Sequence, residues 1–304
     1  MPPLPDADRS GRGLPYALAA YIAWGLFPLY LMSVRSIPPV ELIGWRILFT
    51  LPVCLLIVTF RRQWADLLGA LFNRKVLPWL CLSSLLIGCN WTLYIFAILE
   101  GHVYAASLGY YINPLINVLI GTLFLGESLS RQQWLAVALA AVGVAILAAG
   151  ALTTLWISVV LAISFALYGL VRRTLPVGSL PGLTVEAIVL TAPAIMVMVH
   201  LGSSAAGLHL GNDTPVDIAV GLSGLVTAIP LLMFAIAARR MDYSTLGFVQ
   251  FIAPTVVFIL GLTVFHEPLK PAQLWSFLFI WCAIAIFAWD LLRKRRTVKT
   301  ATAT

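Results

Sequence analysis

The chain has 304 residues, of which 61% are hydrophobic and only 10% charged. A soluble domain carries roughly 45–50% apolar and about 25% charged residues, so one water-exposed globule is excluded and the bilayer is the solvent that fits. The net charge of +7 sits in short basic clusters between apolar runs. It reads as a set of topology signals rather than a phosphate-binding face, and nucleic acid is not an expected partner.

In chain order, residues 1–13 form a polar, Pro-rich tail with Arg9 and Arg12. The apolar run that follows lacks a small-x-small cleavage site and is read as a retained span. About 20 apolar residues cross ~30 Å of hydrocarbon, and ten such stretches are predicted: Leu14–Val34, Val40–Phe60, Val76–Leu99, Val103–Leu125, Gln133–Gly150, Thr154–Val171, Leu183–Leu201, Val216–Ala238, Ser244–Phe265 and Ala272–Leu292. Proline marks many joints, as in Pro38-Pro39, Pro176, Pro181, Pro268 and Pro271. Residues 293–304 form a basic tail. With the N-terminus placed inside and sides alternating, only Arg35 and Lys270 of the 19 basic residues fall outside, and only Arg46 falls within a span. That asymmetry supports ten spans with both termini cytoplasmic. Cys54, Cys81, Cys89 and Cys282 all lie in apolar stretches without metal or CxxC spacing, and buried structural thiols are expected.

The second half repeats the first. Shifted by 140 positions, Tyr110–Gln133 overlies Gln250–Gln273 without a gap, so that Ile112, Pro114, Gly121, Glu127, Leu129 and Gln133 recur as Ile252, Pro254, Gly261, Glu267, Leu269 and Gln273. Trp24-Gly25 has Tyr168-Gly169 as its counterpart, and Glu41 has Glu186. The expected architecture is therefore an all-α integral membrane protein of ten transmembrane helices in two inverted five-helix repeats, residues 14–150 and 151–292. Five spans per half is an odd number, so the second copy enters from the opposite side. Inverted repeats with a midplane site between them are characteristic of secondary carriers. A small-molecule substrate moved by alternating access is the expected function, with proton coupling left open. The alternative is a non-transporting membrane sensor or assembly subunit.

The segments Cys89–Ile98 (CNWTLYIFAI), Ala106–Asn117 (ASLGYYINPLIN), Leu167–Arg173 (LYGLVRR) and Ser244–Pro254 (STLGFVQFIAP) resemble the RarD subfamily of EamA-type carriers in the drug/metabolite transporter superfamily. The resemblance covers nearly the whole chain after residue 13. It implies a permease of the bacterial inner membrane with both termini in the cytoplasm, and it supplies no catalytic motif.

Polar side chains inside spans are the candidate site residues, because lipid does not solvate them. Arg46 lies roughly 9 Å below the outer end of the second span at 1.5 Å per residue; it pairs structurally, snorkels outward, or presents a cation to an anionic substrate. Asn90 with Tyr94, and Tyr110 with Asn113 and Asn117, share helix faces; together with Tyr168 and Gln250 they are expected to line a cavity, interhelical hydrogen bonding being the plainer role. Trp24 and Trp91 are possible aromatic walls. Glu186, read as lying in the first turn of its span, is either stabilised by the helix dipole or is a proton-coupling group. Pro114 and Pro254 are candidate hinges. Ser130 with Gln133 forms an expected capping box, Glu127 and Glu267 look architectural, and Ala141, Ala145 and Ala149 form a small-residue packing stripe. The sequence carries no phosphate loop, metal motif or intramembrane protease signature, so no cofactor, metal site or enzymatic activity is expected.

Overall fold

In hydrocarbon the backbone has no water to bond, and a helix satisfies its own N–H and C=O groups. The computed structural model describes residues 6–150, 152–204, 207–266 and 268–301, with side chains from 13 to 293. Expectations for Glu267, Arg9, Arg12 and the basic cluster after residue 293 fall outside those side chains. Among the described residues ten helical segments are long and apolar enough to span: span 1 (Gly13–Ser33), span 2 (Pro39–Phe60), span 3 (Leu77–Leu99), span 4 (Val103–Leu123), span 5 (Arg131–Ala148), span 6 (Leu152–Thr174), span 7 (Ser179–Gly202), span 8 (Thr214–Arg240), span 9 (Tyr243–Thr263) and span 10 (Pro271–Arg293). The protein is an all-α membrane protein. Helix continues beyond the spans at both ends, from Asp6 and to Ala301.

The connection after span 2 is itself a short helix, Trp64–Phe72. Its Leu67 and Ala70 are buried while Trp64 and Phe72 are exposed, the two-faced pattern of a segment lying at an interface.

Three spans are interrupted. Span 1 breaks at Leu26, just before Phe27-Pro28; span 8 breaks at Leu222. Span 9 divides into Tyr243–Gln250 and Ile252–Thr263. Pro254 has no N–H to give the Gln250 carbonyl one turn back, so the break falls where the ladder is missing a donor. Span 4, by contrast, runs unbroken through Pro114.

Neighbouring spans follow a pattern. Spans 5 and 10, 2 and 7, and 4 and 9 pack directly; spans 1 and 8 pack as do 6 and 3, spans 4 and 6 as do 9 and 1, and spans 2 and 8 as do 7 and 3. Exchanging each span for the one five later leaves these pairings unchanged.

Two packing expectations are corrected. Ala141, Ala145 and Ala149 are exposed; the face of span 5 against span 10 is Ala136, Ala140, Gly143 and Leu147, all buried. The helical period places the second set, not the first, toward span 10. Gly143 is the close approach, where an added Cβ would meet the Ser276 carbonyl oxygen at 2.8 Å; the Ser276 hydroxyl donates to the Gly143 carbonyl at 2.7 Å. Of the cysteines only Cys54 is buried; Cys81, Cys89 and Cys282 are exposed on the bundle surface, where lipid accepts a thiol without protein packing. The capping box is present as expected: Gln133 N donates to Ser130 Oγ at 3.2 Å and Ser130 N to Gln133 Oε1 at 2.9 Å.

Gly143→Val should lower stability by about 1–3 kcal/mol through overpacking, whereas Ala145→Val should leave it nearly unchanged. Thermal unfolding of both variants in detergent, followed by size-exclusion chromatography, checks this; equal losses would mean that the packed face has been assigned to the wrong side.

Candidate substrate cavity

A cavity of about 570 Å³ lies between the spans, within the 300–1,000 Å³ typical of small-molecule sites. It extends from Tyr21 and Gln250 at its floor to Val103, Pro268 and Lys270 at the span ends that form its mouth. Arg46, Asn90, Tyr94, Tyr110 and Gln250 all line it, as do Trp24, Trp91 and Pro254. Asn113 and Tyr168 do not.

The Arg46 guanidinium is the charge at the centre of the wall. Its Nε donates to Thr227 Oγ1 on span 8 at 3.0 Å. The guanidinium carbon sits 4.8 Å from the Phe27 ring centre and 5.5 Å from that of Trp91, distances at which ring faces attract a cation. Among the described residues no carboxylate pairs with it, and its remaining donors meet no protein acceptor. Of the three routes open from sequence, pairing with an acid is thus absent among the described residues, and the group points into the cavity wall instead of snorkelling past Glu41. The sequence offers no signal for Thr227 or Phe27, which are distant in the chain. Tyr94 and Tyr110 meet edge to face at 5.9 Å and form the adjoining wall.

Below the floor, polar groups close on one another. Gln250 Oε1 accepts from Asn117 Nδ2 at 2.8 Å and from the Tyr21 hydroxyl at 3.4 Å. Asn117 also donates to Asn113 Oδ1 at 3.2 Å, and Asn113 donates to the Ala162 carbonyl at 2.5 Å. Asn90 gives its amide to the Leu161 carbonyl at 2.8 Å and the Ser164 hydroxyl at 2.9 Å. These amides tie spans 1, 3, 4, 6 and 9 together, so Asn113 serves packing, while Asn90 and Gln250 do so from the cavity wall.

Beyond that layer the far end is sealed by a buried apolar cluster that includes Tyr21, Tyr168, Phe234, Met241 and Tyr243. Glu127, from the connection after span 4, accepts from the backbone N–H of Tyr243 at 2.6 Å and of Ser244 at 2.8 Å, and lies 3.3 Å from Arg173 Nη2. Arg173 in turn donates to the Ala238 carbonyl at 3.1 Å and to the Met241 carbonyl. A carboxylate on the first amides of a helix meets unsatisfied donors and the positive end of the dipole. Gly121 makes room for it, since a Cβ there would lie 2.5 Å from Glu127 Oε2.

Glu186 lies apart from the cavity. Span 7 begins at Ser179, earlier than the sequence suggested, so Glu186 is beyond the first turn and the helix dipole cannot account for it. It is 1% exposed, lies 3.5 Å from Arg172 Nε, and accepts from the Ser83 hydroxyl at 2.5 Å and the Tyr168 hydroxyl at 3.2 Å. A void of about 20 Å³ beside it is bounded by Tyr168, Trp91 and Leu231. That is room for about one water, and Trp91 and Leu231 also line the main cavity. Its sequence counterpart Glu41 is also 1% exposed; it accepts from Trp45 Nε1 at 3.1 Å and from the His209 backbone at 2.9 Å, with His209 Nδ1 2.8 Å away.

Residues 11–149 match the EamA-like transporter family. A protein named RarD from Streptomyces exfoliatus is 40% identical over 95% of this chain and 92% of its own. An uncharacterized transporter of Pseudomonas aeruginosa is 41% identical over 94% and 96%. A crystal structure with 17% identity superposes with a TM-score of 0.72 over 90% of this chain and 96% of that one, which shows a shared fold. With full-length relatives of this similarity, ten apolar helices and the matched first half, the chain belongs to the EamA-like transporter family, in its RarD-like branch.

Proposed function

We propose that this protein is a secondary transporter of a small organic solute that works by alternating access between two inverted repeats, residues 14–150 and 151–292. The observation that carries the reading is the cavity itself: it is open toward one end of the bundle and sealed at the other by contacts that join the two halves. The pairing pattern that survives exchange of the halves supports it, since two equivalent halves can trade the open and sealed roles.

The positive-inside count places the sealed end, with Arg173 and Glu127, toward the cytoplasm, and both termini with it. The state described is then open to the outside of the bacterial inner membrane. Arg46 and the aromatic walls hold the solute. Gln250, Asn117 and Tyr21 form the floor that must part for release inward. The interruption of span 9 at Gln250 and Phe251, imposed by Pro254, is the hinge for that movement, and Pro114 in the continuous span 4 bends without a break.

Proton coupling is assigned to Glu186. A void of about 20 Å³ beside it, lined mostly by apolar side chains, shares Trp91 and Leu231 with the cavity. Protonation of the carboxylate would release its ion pair with Arg172.

Current measurements on a solid-supported membrane carrying the protein, scanned with amino acids, nucleosides, organic anions and organic cations, test the central reading. At least one class should give a saturable response that Arg46→Ala removes. Flux that rises without saturation would indicate a channel, and silence for every class would favour the sensor or assembly subunit. For the seal, Glu127→Ala should raise hydrogen exchange at the Tyr243 and Ser244 amides by roughly tenfold or more, because bonds to a charged acceptor contribute about 1.5–3 kcal/mol each; unchanged protection would remove Glu127 from the seal. For the buried pair, Glu186→Gln alone should destabilise the protein by about 3–5 kcal/mol by leaving Arg172 uncompensated, and adding Arg172→Met should recover most of the loss. Transport by that double variant should no longer respond to an imposed pH gradient; a retained response would place coupling elsewhere.

A further inference from the structure

The charges around the cavity go further than the transport reading on which this step rests. Among its described lining residues the charged ones are Arg46 in the wall and Lys270 at the mouth, and none is acidic. Arg46 is half-buried and keeps its Nη donors free of protein acceptors while Thr227 fixes its Nε. A guanidinium held by one edge presents its outer fork to a planar two-oxygen acceptor, and carboxylate fits that fork bidentately. The Phe27 and Trp91 rings lie against the charge. Tyr94 and Tyr110 line the same cavity and offer aromatic faces and edges to a ring.

We infer that the ligand of this cavity is an aromatic monocarboxylate that carries no ammonium group. One central cation matches one anion. The described lining has no carboxylate to receive an amine, so an amino acid would leave its ammonium in a cationic pocket, with unfavourable charge on both sides. Lys270 is the second cation of the described lining.

Four compounds that share a phenylpropyl skeleton separate the possibilities: 3-phenylpropionate, 3-phenylpropanol, 3-phenylpropylamine and phenylalanine, each titrated calorimetrically into the full-length protein in lipid nanodiscs. The acid should bind roughly tenfold or more tighter than the alcohol, the amine and the amino acid, the margin expected of a charge-assisted contact. In Arg46→Gln the acid should lose that margin while the alcohol binds as before, and Arg46→Lys should keep part of it. The inference is overturned if the alcohol or amine binds as tightly as the acid, if phenylalanine matches the acid, if the acid does not bind, or if its preference survives in Arg46→Gln. The wild-type comparison decides the matter even if that variant does not fold. Should the acid fail while another class still gives saturable currents, transport stands and only the substrate assignment falls.

Discussion

Lipid offers polar side chains no hydrogen bonds, so each one inside the bundle must find a protein partner or face water. That constraint sorts the intramembrane polar groups of this chain into two populations. Asn113, Asn117, Gln250 and Tyr21 bond to each other or to a neighbouring carbonyl, and Glu186 closes on Arg172, Ser83 and Tyr168. These groups hold helices in place. Arg46 is different, with one neutral acceptor and two rings around a full charge. That charge borders the cavity of about 570 Å³, whereas the buried Arg172 is paired with Glu186.

Most of the fold was legible before any coordinates, because span length and basic-residue placement are one-dimensional signals. The ten predicted spans match the ten helical segments to within a few residues at most ends. What failed were statements about faces and starts. The stripe Ala141, Ala145 and Ala149 follows a spacing of four, but Ala136 and Ala140 follow it too, with Gly143 on the same face, and only the position of span 10 decides between them. Pro181 in the sequence suits a boundary before span 7, which would put Glu186 in a first turn, but proline suits the first turn of a helix as well as the gap before one.

The site was partly legible. Arg46 stood out because charge within a span is rare. Its partners Thr227 and Phe27 could not be found the same way, since a threonine or phenylalanine within a span is unremarkable and contact across the bundle leaves no periodicity. Glu127 is a third kind of case. It sits in a connection, where acids are common, and its two bonds to the start of span 9 exist only because the two halves pack against each other there.

That contact also bears on the difference between the two ends of the bundle. The segment that carries Glu127 recurs in the second half, and the start of span 4 corresponds to the start of span 9. In this conformation the start of span 9 is buried beneath the Glu127 carboxylate. The start of span 4 is instead exposed at Val103 and Tyr104, beside the cavity mouth, and its leading residue His102 supplies no side-chain cap. A helix start with unsatisfied N–H groups is favourable in water and costly when buried without an acceptor. The two starts thus differ in one conformation: the buried one gives its first amides to the Glu127 carboxylate, and the other is exposed. Any conformation that opens the sealed end must hydrate the amides of Tyr243 and Ser244, release Arg173 from Glu127 and part the apolar cluster packed around Tyr243 and Met241.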